Sequence, residues 1–335
     1  MSLAALPENL PENPTSPAKG IGDLLSEALR RIRISGSLQY CFMPSGNWIT
    51  DASPAPFRPA NAMGFHIVAQ GTCWIELDGK RTVLEEGDIA AFPFGTPHFI
   101  GGGENGRLLD PGNDLPPRPW REIPVLRYGE DRPATRILCG YIQCDAMNFR
   151  PFKRILPTFI HTHTAAAQPA DWLAATLAQI VKEVDQPVRG GSSVLERLTE
   201  VVFMEVLRRQ FLQTEAGSTG WLAAITDPTL GRSLTLIHAE PQRDWTLATL
   251  AKEAGVSRSV LTERFEVLLE TSPIRYLRDW RLYLASIQLS TTDKGIAAIA
   301  DESCYGTEAA FSRAFSRSFG LPPAQWRRDA QMRRK

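Results

Sequence analysis

The sequence predicts an α+β, multidomain chain: an N-terminal antiparallel β-barrel, then helices, then an all-α domain with two helix-turn-helix units. Three observations carry this. Short apolar runs broken by turn residues fill the stretch from Leu38 to about Asp145, the texture of many short strands. Beyond it, apolar residues recur at i, i+3, i+4 and i+7, the period of one helix face. Near the C-terminus a helix, a tight turn, an N-cap and a second helix occur in that order twice.

The 335 residues leave room for two or three domains. Lys+Arg and Asp+Glu both number 37, and 43% of residues are apolar, an ordinary globular balance that excludes wholesale disorder and collagen-like structure. No run approaches the roughly 18–20 apolar residues of a membrane helix, so no membrane partner is expected. Residues 1–20 hold four Pro and have neither a cationic start nor an apolar core, which predicts a disordered tail rather than a secretory signal. Five scattered Cys do not read as a disulfide framework, and a cytoplasmic location is expected. The zero net charge hides an asymmetry. Residues 229–335 carry 16 Lys+Arg against 12 Asp+Glu, whereas residues 1–228 carry 21 against 25. The basic end is a modest pointer to nucleic acid.

In chain order, Gly22–Ile34 reads as a short helix, with Leu25, Ala28, Leu29 and Ile32 on one face. Strands are expected at Leu38–Met43, Met63–Val68, Cys73–Leu77, Thr82–Leu84, Ile89–Phe92 and Ile137–Gln143, with a hairpin at Asp78-Gly79. Gly101 to Pro133 holds three consecutive Gly and six Pro without a period, and reads as an inserted flap. Ala170–Val184 and Val194–Gln213 read as helices, the second capped by Ser192-Ser193. The expected units are therefore a β-domain at 21–165, a helical linker or dimerisation segment at 170–216, and a helical domain at 221–335.

The last domain is the most informative. At 247–268, Leu247, Leu250, Ala251 and Ala254 form one helix face, Gly255 suits a left-handed turn, and Ser257 is an N-cap. Leu261, Phe265 and Leu268 face inward on the next helix. Arg258, Ser259, Thr262 and Glu263 are left outward, all able to meet base edges or phosphates. The layout returns at 296–319. Ile296, Ile299 and Ala300 face inward, Cys304-Tyr305-Gly306 form the turn, Thr307 is the N-cap, and Phe311 and Phe315 form the second core face. Glu308, Ala309, Ser312, Arg313 and Arg317 are left outward. Pro273–Leu289 reads as a helix joining the two units. A single such pair would read as ordinary helix packing; two copies at the basic end favour DNA.

Residues from about Arg232 to Arg328 resemble the DNA-binding domain of AraC/XylS-type transcription regulators. The run Ala309-Ala310-Phe311-Ser312-Arg313-Ala314-Phe315, Phe319-Gly320-Leu321-Pro322-Pro323 and Trp326-Arg327 carries the resemblance, with Trp326 for the family's Tyr and Cys304 where a Gly is usual. Upstream, Gly87 to His98 fits the second cupin motif, with Pro93, Gly95 and His98 in place, and Phe65 to Gly71 looks like the end of the first. The resemblance implies a cupin-like sensor domain ahead of a sequence-specific DNA-binding domain. It also implies double-stranded DNA and RNA polymerase as partners, and association as a homodimer.

A cupin metal enzyme is the alternative. Its ligand positions fall near Phe57, Pro59 and Gly64, none of which can bind a metal, and only His98 remains, so no enzyme activity is expected. A different set is available. Cys41, His66, His98 and Cys139 each lie on or beside an expected strand, and a barrel could converge them on one interior site. Two thiolates and two imidazoles suffice for zinc or copper(I), or for a redox centre resembling the oxidant- and electrophile-responsive subgroup. A lone Cys in an apolar strand is also commonly just a small core residue, and Cys73 and Cys144 are alternative partners.

Overall fold

The computed structural model describes residues 34–53, 62–117, 120, 122–129, 134–164, 172–213, 224 and 227–332. The expected tail at 1–20, most of the expected helix at Gly22–Ile34 and the stretch joining the two halves near Gly220 lie outside them.

The β-domain is built from β1 (Ile34–Pro44), β2 (Trp48–Asp51), β3 (Ala62–Gln70), β4 (Cys73–Leu77), β5 (Lys80–Leu84), β6 (Ile89–Phe92), β7 (Phe99–Gly102), β8 (Arg107–Leu109), β9 (Val125–Tyr128), β10 (Arg136–Cys144) and β11 (Ile160–Thr162). They form two facing sheets, ordered β11-β6-β3-β10-β1-β9 and β5-β4-β7-β2-β8, so the barrel expected from the strand texture is an open two-sheet cupin-like body. Most pairings are antiparallel, but β1 with β9 and β2 with β8 pair in parallel. Those parallel edges come from the Gly101–Pro133 stretch, which is therefore not a plain flap. It supplies β8, a short helix α1 (Pro111–Asp114) and β9.

Alternation along each strand gives the first sheet two buried faces. One face carries Phe42, His66, Val68, Ala90, Phe92, Ile137 and Cys139 toward the second sheet, which answers with Trp48, Ile75 and Ile100. The other carries Cys41, Phe65, Ile67, Ile89, Leu138 and Ile142 toward helices. After β10 come a 3-10 turn (Asp145–Asn148) and α2 (Arg150–Ile155), and beyond β11 come α3 (Trp172–Asp185) and α4 (Gly191–Gln213). Helix α4 crosses β1, where an added Cβ on Gly36 would meet Thr199 Cγ2 at 2.7 Å. Glycine is what lets this helix approach so closely. Phe203 of α4 meets Phe65 at 4.8 Å between ring centroids. α4 begins at Gly191, so Ser192 and Ser193 lie inside its first turn rather than capping it.

The C-terminal domain follows the expected plan: α5 (Pro228–Ala239), α6 (Leu247–Ala254), α7 (Arg258–Leu269), α8 (Pro273–Thr291), α9 (Ile296–Glu302), α10 (Glu308–Phe319) and α11 (Pro323–Met332). Asp227 caps α5 by accepting from the Thr229 and Leu230 amides. Gly255 ends α6 at φ 78°, and Ser257 caps α7 by accepting from the Val260 amide. Leu261, Phe265 and Leu269 bury one face of α7, and Phe311 and Phe315 that of α10.

Candidate functional site

Between the two sheets lies a cavity of about 220 Å³ whose wall includes Tyr40, Thr50, His66, Phe92, His98 and Cys139. Along its buried side runs one chain of polar contacts, and Asp51 and Asp110 also belong to the lining. Cys139 and His66 sit opposite each other on β10 and β3, and His66 Nδ1 lies 3.1 Å from Cys139 Sγ. His66 Nε2 lies 2.9 Å from His98 Nε2, and His98 Nδ1 lies 2.7 Å from the Thr96 carbonyl. Tyr40, opposite Cys139 on β1, hydrogen-bonds the thiol from the other side. The His98 ring stacks on Phe92, with centroids 3.6 Å apart at 7°.

The Thr96 carbonyl sets the direction of this chain, because a carbonyl only accepts. His98 donates to it from Nδ1, so a neutral His98 presents Nε2 as an acceptor. His66 then donates from Nε2 and accepts at Nδ1, Cys139 donates its S–H to His66, and Tyr40 donates to the sulfur. Every member is neutral, and burial favours that state. Desolvation lowers His66 well below its ordinary value, reinforced by His98, and lowers His98 to about 4. Burial pushes the Cys139 thiol far up. A satisfied neutral chain of buried groups is rigid, and a ligand with its own donor or acceptor can open it.

Cys41 does not join it. β1 carries a bulge between Leu38 and Tyr40, which puts Tyr40 opposite Cys139 and turns Cys41 to the helix-facing side. There Cys41 accepts from Arg136 Nε at 3.3 Å, and Arg136 pairs with Asp185 at the end of α3 at 2.7 Å. The expected four-residue set is thus corrected to His66, His98 and Cys139, with Tyr40 in place of Cys41. A zinc or copper centre is not built from it. His66 gives one ring nitrogen to Cys139 and the other to His98, so one ion cannot reach all three partners. Among the described residues no group of three or more His, Cys, Asp or Glu is placed to hold a metal. Burial also keeps the Cys41 thiol protonated, as it does Cys139, and pushes Cys73 to about 12. Such thiols are poor redox centres. Cys144 is buried on the helix-facing side.

A second polar cluster has no counterpart in the sequence reading. The Asp88 side chain, almost fully buried, accepts from His161 Nε2 at 2.8 Å and His163 Nδ1 at 2.6 Å, fastening β11 to the end of β6. Burial pushes its carboxyl up, but hydrogen bonds from His161, the Glu85 amide and His163 outweigh that and leave it below its ordinary value.

In the helical domain, Arg258, Ser259 and Glu263 are exposed and Thr262 is half-buried on the outer side of α7. Thr307, Glu308, Ala309, Arg313 and Arg317 are exposed and Ser312 half-buried on α10. Thr307 also caps α10 by accepting from the Ala310 amide at 3.1 Å. Val260, 41% exposed, lies on the same side of α7 and was missed by reading for polar residues. Cys304 takes a left-handed conformation at φ 59° in the second turn.

The profile of the Cupin family matches residues 23–212, and that of a helix-turn-helix domain matches residues 250–329. A putative AraC-like transcription regulator of Streptomyces antibioticus is 35% identical over 315 residues, covering 91% of this chain and 98% of that protein. A putative AraC-like regulator of Streptomyces lividans is 29% identical over 314 residues (92% and 99%), and the transcriptional regulator AlkR of Acinetobacter baylyi is 28% identical over 313 residues (92% and 100%). The chain belongs to the AraC-like transcription regulators, with a cupin domain ahead of a helix-turn-helix DNA-binding domain.

Proposed function

We propose that the cavity between the two sheets is the effector site of this regulator, and that α7 and α10 read two successive major grooves. The cavity carries the reading. It joins an apolar stack, Phe92 on His98, to a neutral hydrogen-bond chain that a bound molecule can break. Its volume suits a small organic molecule rather than a long acyl chain, and its buried thiol and imidazoles favour an uncharged group beside them. On this reading the cupin domain is a sensor and not an enzyme. Arg258, Ser259, Thr262 and Glu263 contact one groove, and Thr307, Glu308, Ala309, Ser312, Arg313 and Arg317 the next.

The protein works in the cytoplasm, engages RNA polymerase at its promoters, and pairs with itself through the outer face of α3 and α4. There Val194 and Val201, seven residues apart, and Trp172 are exposed. No helix of the described residues is long and apolar enough to cross a membrane. The test is selection and sequencing of DNA bound by the purified chain. A screen of small organic compounds then follows, for those that raise its melting temperature and change its affinity for that DNA. Enrichment of one motif, with compounds whose effect is lost in His98→Ala, supports the proposal. No enriched DNA, or effects untouched in His98→Ala, contradicts it.

A further inference from the structure

We infer that Phe149 is the residue through which the state of the cavity reaches the DNA-reading helices, an inference that rests on the cavity being the effector site. Strand β10 reaches both places. Cys139 and Tyr141 line the cavity, and β10 is hydrogen-bonded to β3 on one side and β1 on the other, so it shifts as part of a sheet. Phe149 follows Cys139 by ten residues, about 17 Å of strand and then one 3-10 turn. Its ring is buried among three aromatic residues of α8, with centroids at 5.5 Å from Tyr276, 5.2 Å from Trp280 and 5.5 Å from Tyr283.

The box is closed from α5, where His238 stacks on Trp280 at 4.1 Å and lies 2.9 Å by Nε2 from the Tyr276 hydroxyl. Tyr276 in turn meets Phe265, on the inner face of α7, at 5.8 Å. Five residues past Phe149, Arg154 pairs with Glu270 at 3.0 Å, and Glu270 is the C-cap of α7. The β-domain therefore touches the first reading helix in two ways: through Phe149 and Tyr276 to its buried face, and through Arg154 to its C-terminal end. α8 separates that helix from the second unit, so its position relative to Phe149 sets how α7 stands against α10. A ligand that opens the Tyr40–Cys139–His66 chain moves Cys139, and β10 carries the movement to the box. Close-packed rings have few alternative arrangements, so a small shift there gives a discrete change.

The experiment is a double-mutant cycle in the full chain, read as affinity for a DNA fragment selected by the parent protein. Cys139→Leu fills part of the cavity and breaks the chain, standing in for a ligand. It should change DNA affinity by about fivefold or more in the parent and by less than about twofold in Phe149→Ala. Phe149→Leu, which keeps the box filled, should retain most of the coupling. Arg154→Glu should weaken it, and adding Glu270→Arg should restore it. An equal effect of Cys139→Leu in the parent and in Phe149→Ala overturns this inference and leaves the cavity reading standing. No effect in the parent overturns the cavity reading, and the inference with it. Should Phe149→Ala not fold, the exposed Arg154 and Glu270 pair decides: coupling unchanged in Arg154→Glu counts against the inference.

Discussion

Acidification reaches the cavity chain directly. His98 is lowered by burial from 6.5 to about 4, so between those values the unfolded chain takes a proton that the folded chain refuses. The unfolded state then binds more protons, and stability rises with pH across that window. The contribution is intact above the unfolded value and is lost as pH falls toward 4. One group with this shift gives up about 2 kcal/mol by about pH 5 and about 3 kcal/mol by about pH 4. His66, depressed in the same direction, steepens the loss. Asp88, held below its ordinary value, contributes stability present above the ordinary carboxylate range and lost only below it, so it leaves the higher window clear. The assay is urea unfolding of the full chain at a series of pH values between about 5 and 8, for the parent and His98→Gln. The variant cannot titrate there and should lose about 2 kcal/mol less between neutrality and about pH 5. An identical pH slope in the two proteins would refute the assignment of a buried neutral His98.

Three further outcomes follow from particular residues. Cys304→Gly removes a side chain from a left-handed backbone and gives up a 3.2 Å contact from Sγ to the Gln242 carbonyl; the balance should raise stability by about 0.5–1 kcal/mol, read as a higher melting temperature. Arg258→Ala and Arg313→Ala should each lower affinity for selected DNA about tenfold, because a bidentate Arg–guanine contact is worth about 1–3 kcal/mol of discrimination, while melting stays unchanged. Asp88→Ala removes the acceptor of His161 and His163 and should cost about 2–4 kcal/mol, with the amides of Ile160–Thr162 losing protection from hydrogen exchange before the rest of the sheet.

The helical half was legible because its signals are local. Gly255, Ser257 and Thr307 do in the structure what their residue types favour, and the inward residues Leu261, Phe265, Phe311 and Phe315 are fully buried. The β-half was legible in its main strands and less so elsewhere. β2, β8 and β9 are only three or four residues long and lack a clear period, and β8 and β9 are held by parallel pairing with distant strands. Within the site, His66, His98 and Cys139 were found from residue type and strand placement. Cys41 was not separated from them, because the bulge that reverses its side is set by pairing with β10. Tyr40 was hidden for the same reason. Phe149 and Asp88 carry no local signal: one is defined by three rings of a distant helix, the other by two histidines more than 70 residues away.

The central claim is that one chain reads DNA with two separate helices, α7 and α10, joined through α8. Hydroxyl-radical footprinting of the full chain on its selected DNA tests this most directly. Two protected patches should lie on one face of the duplex, about one helical turn or roughly 34 Å apart. Arg258→Ala should weaken one patch and Arg313→Ala the other, each relaxing the preferred bases only beneath its own helix. A single patch, or uniform weakening of both patches by either variant, would contradict the account.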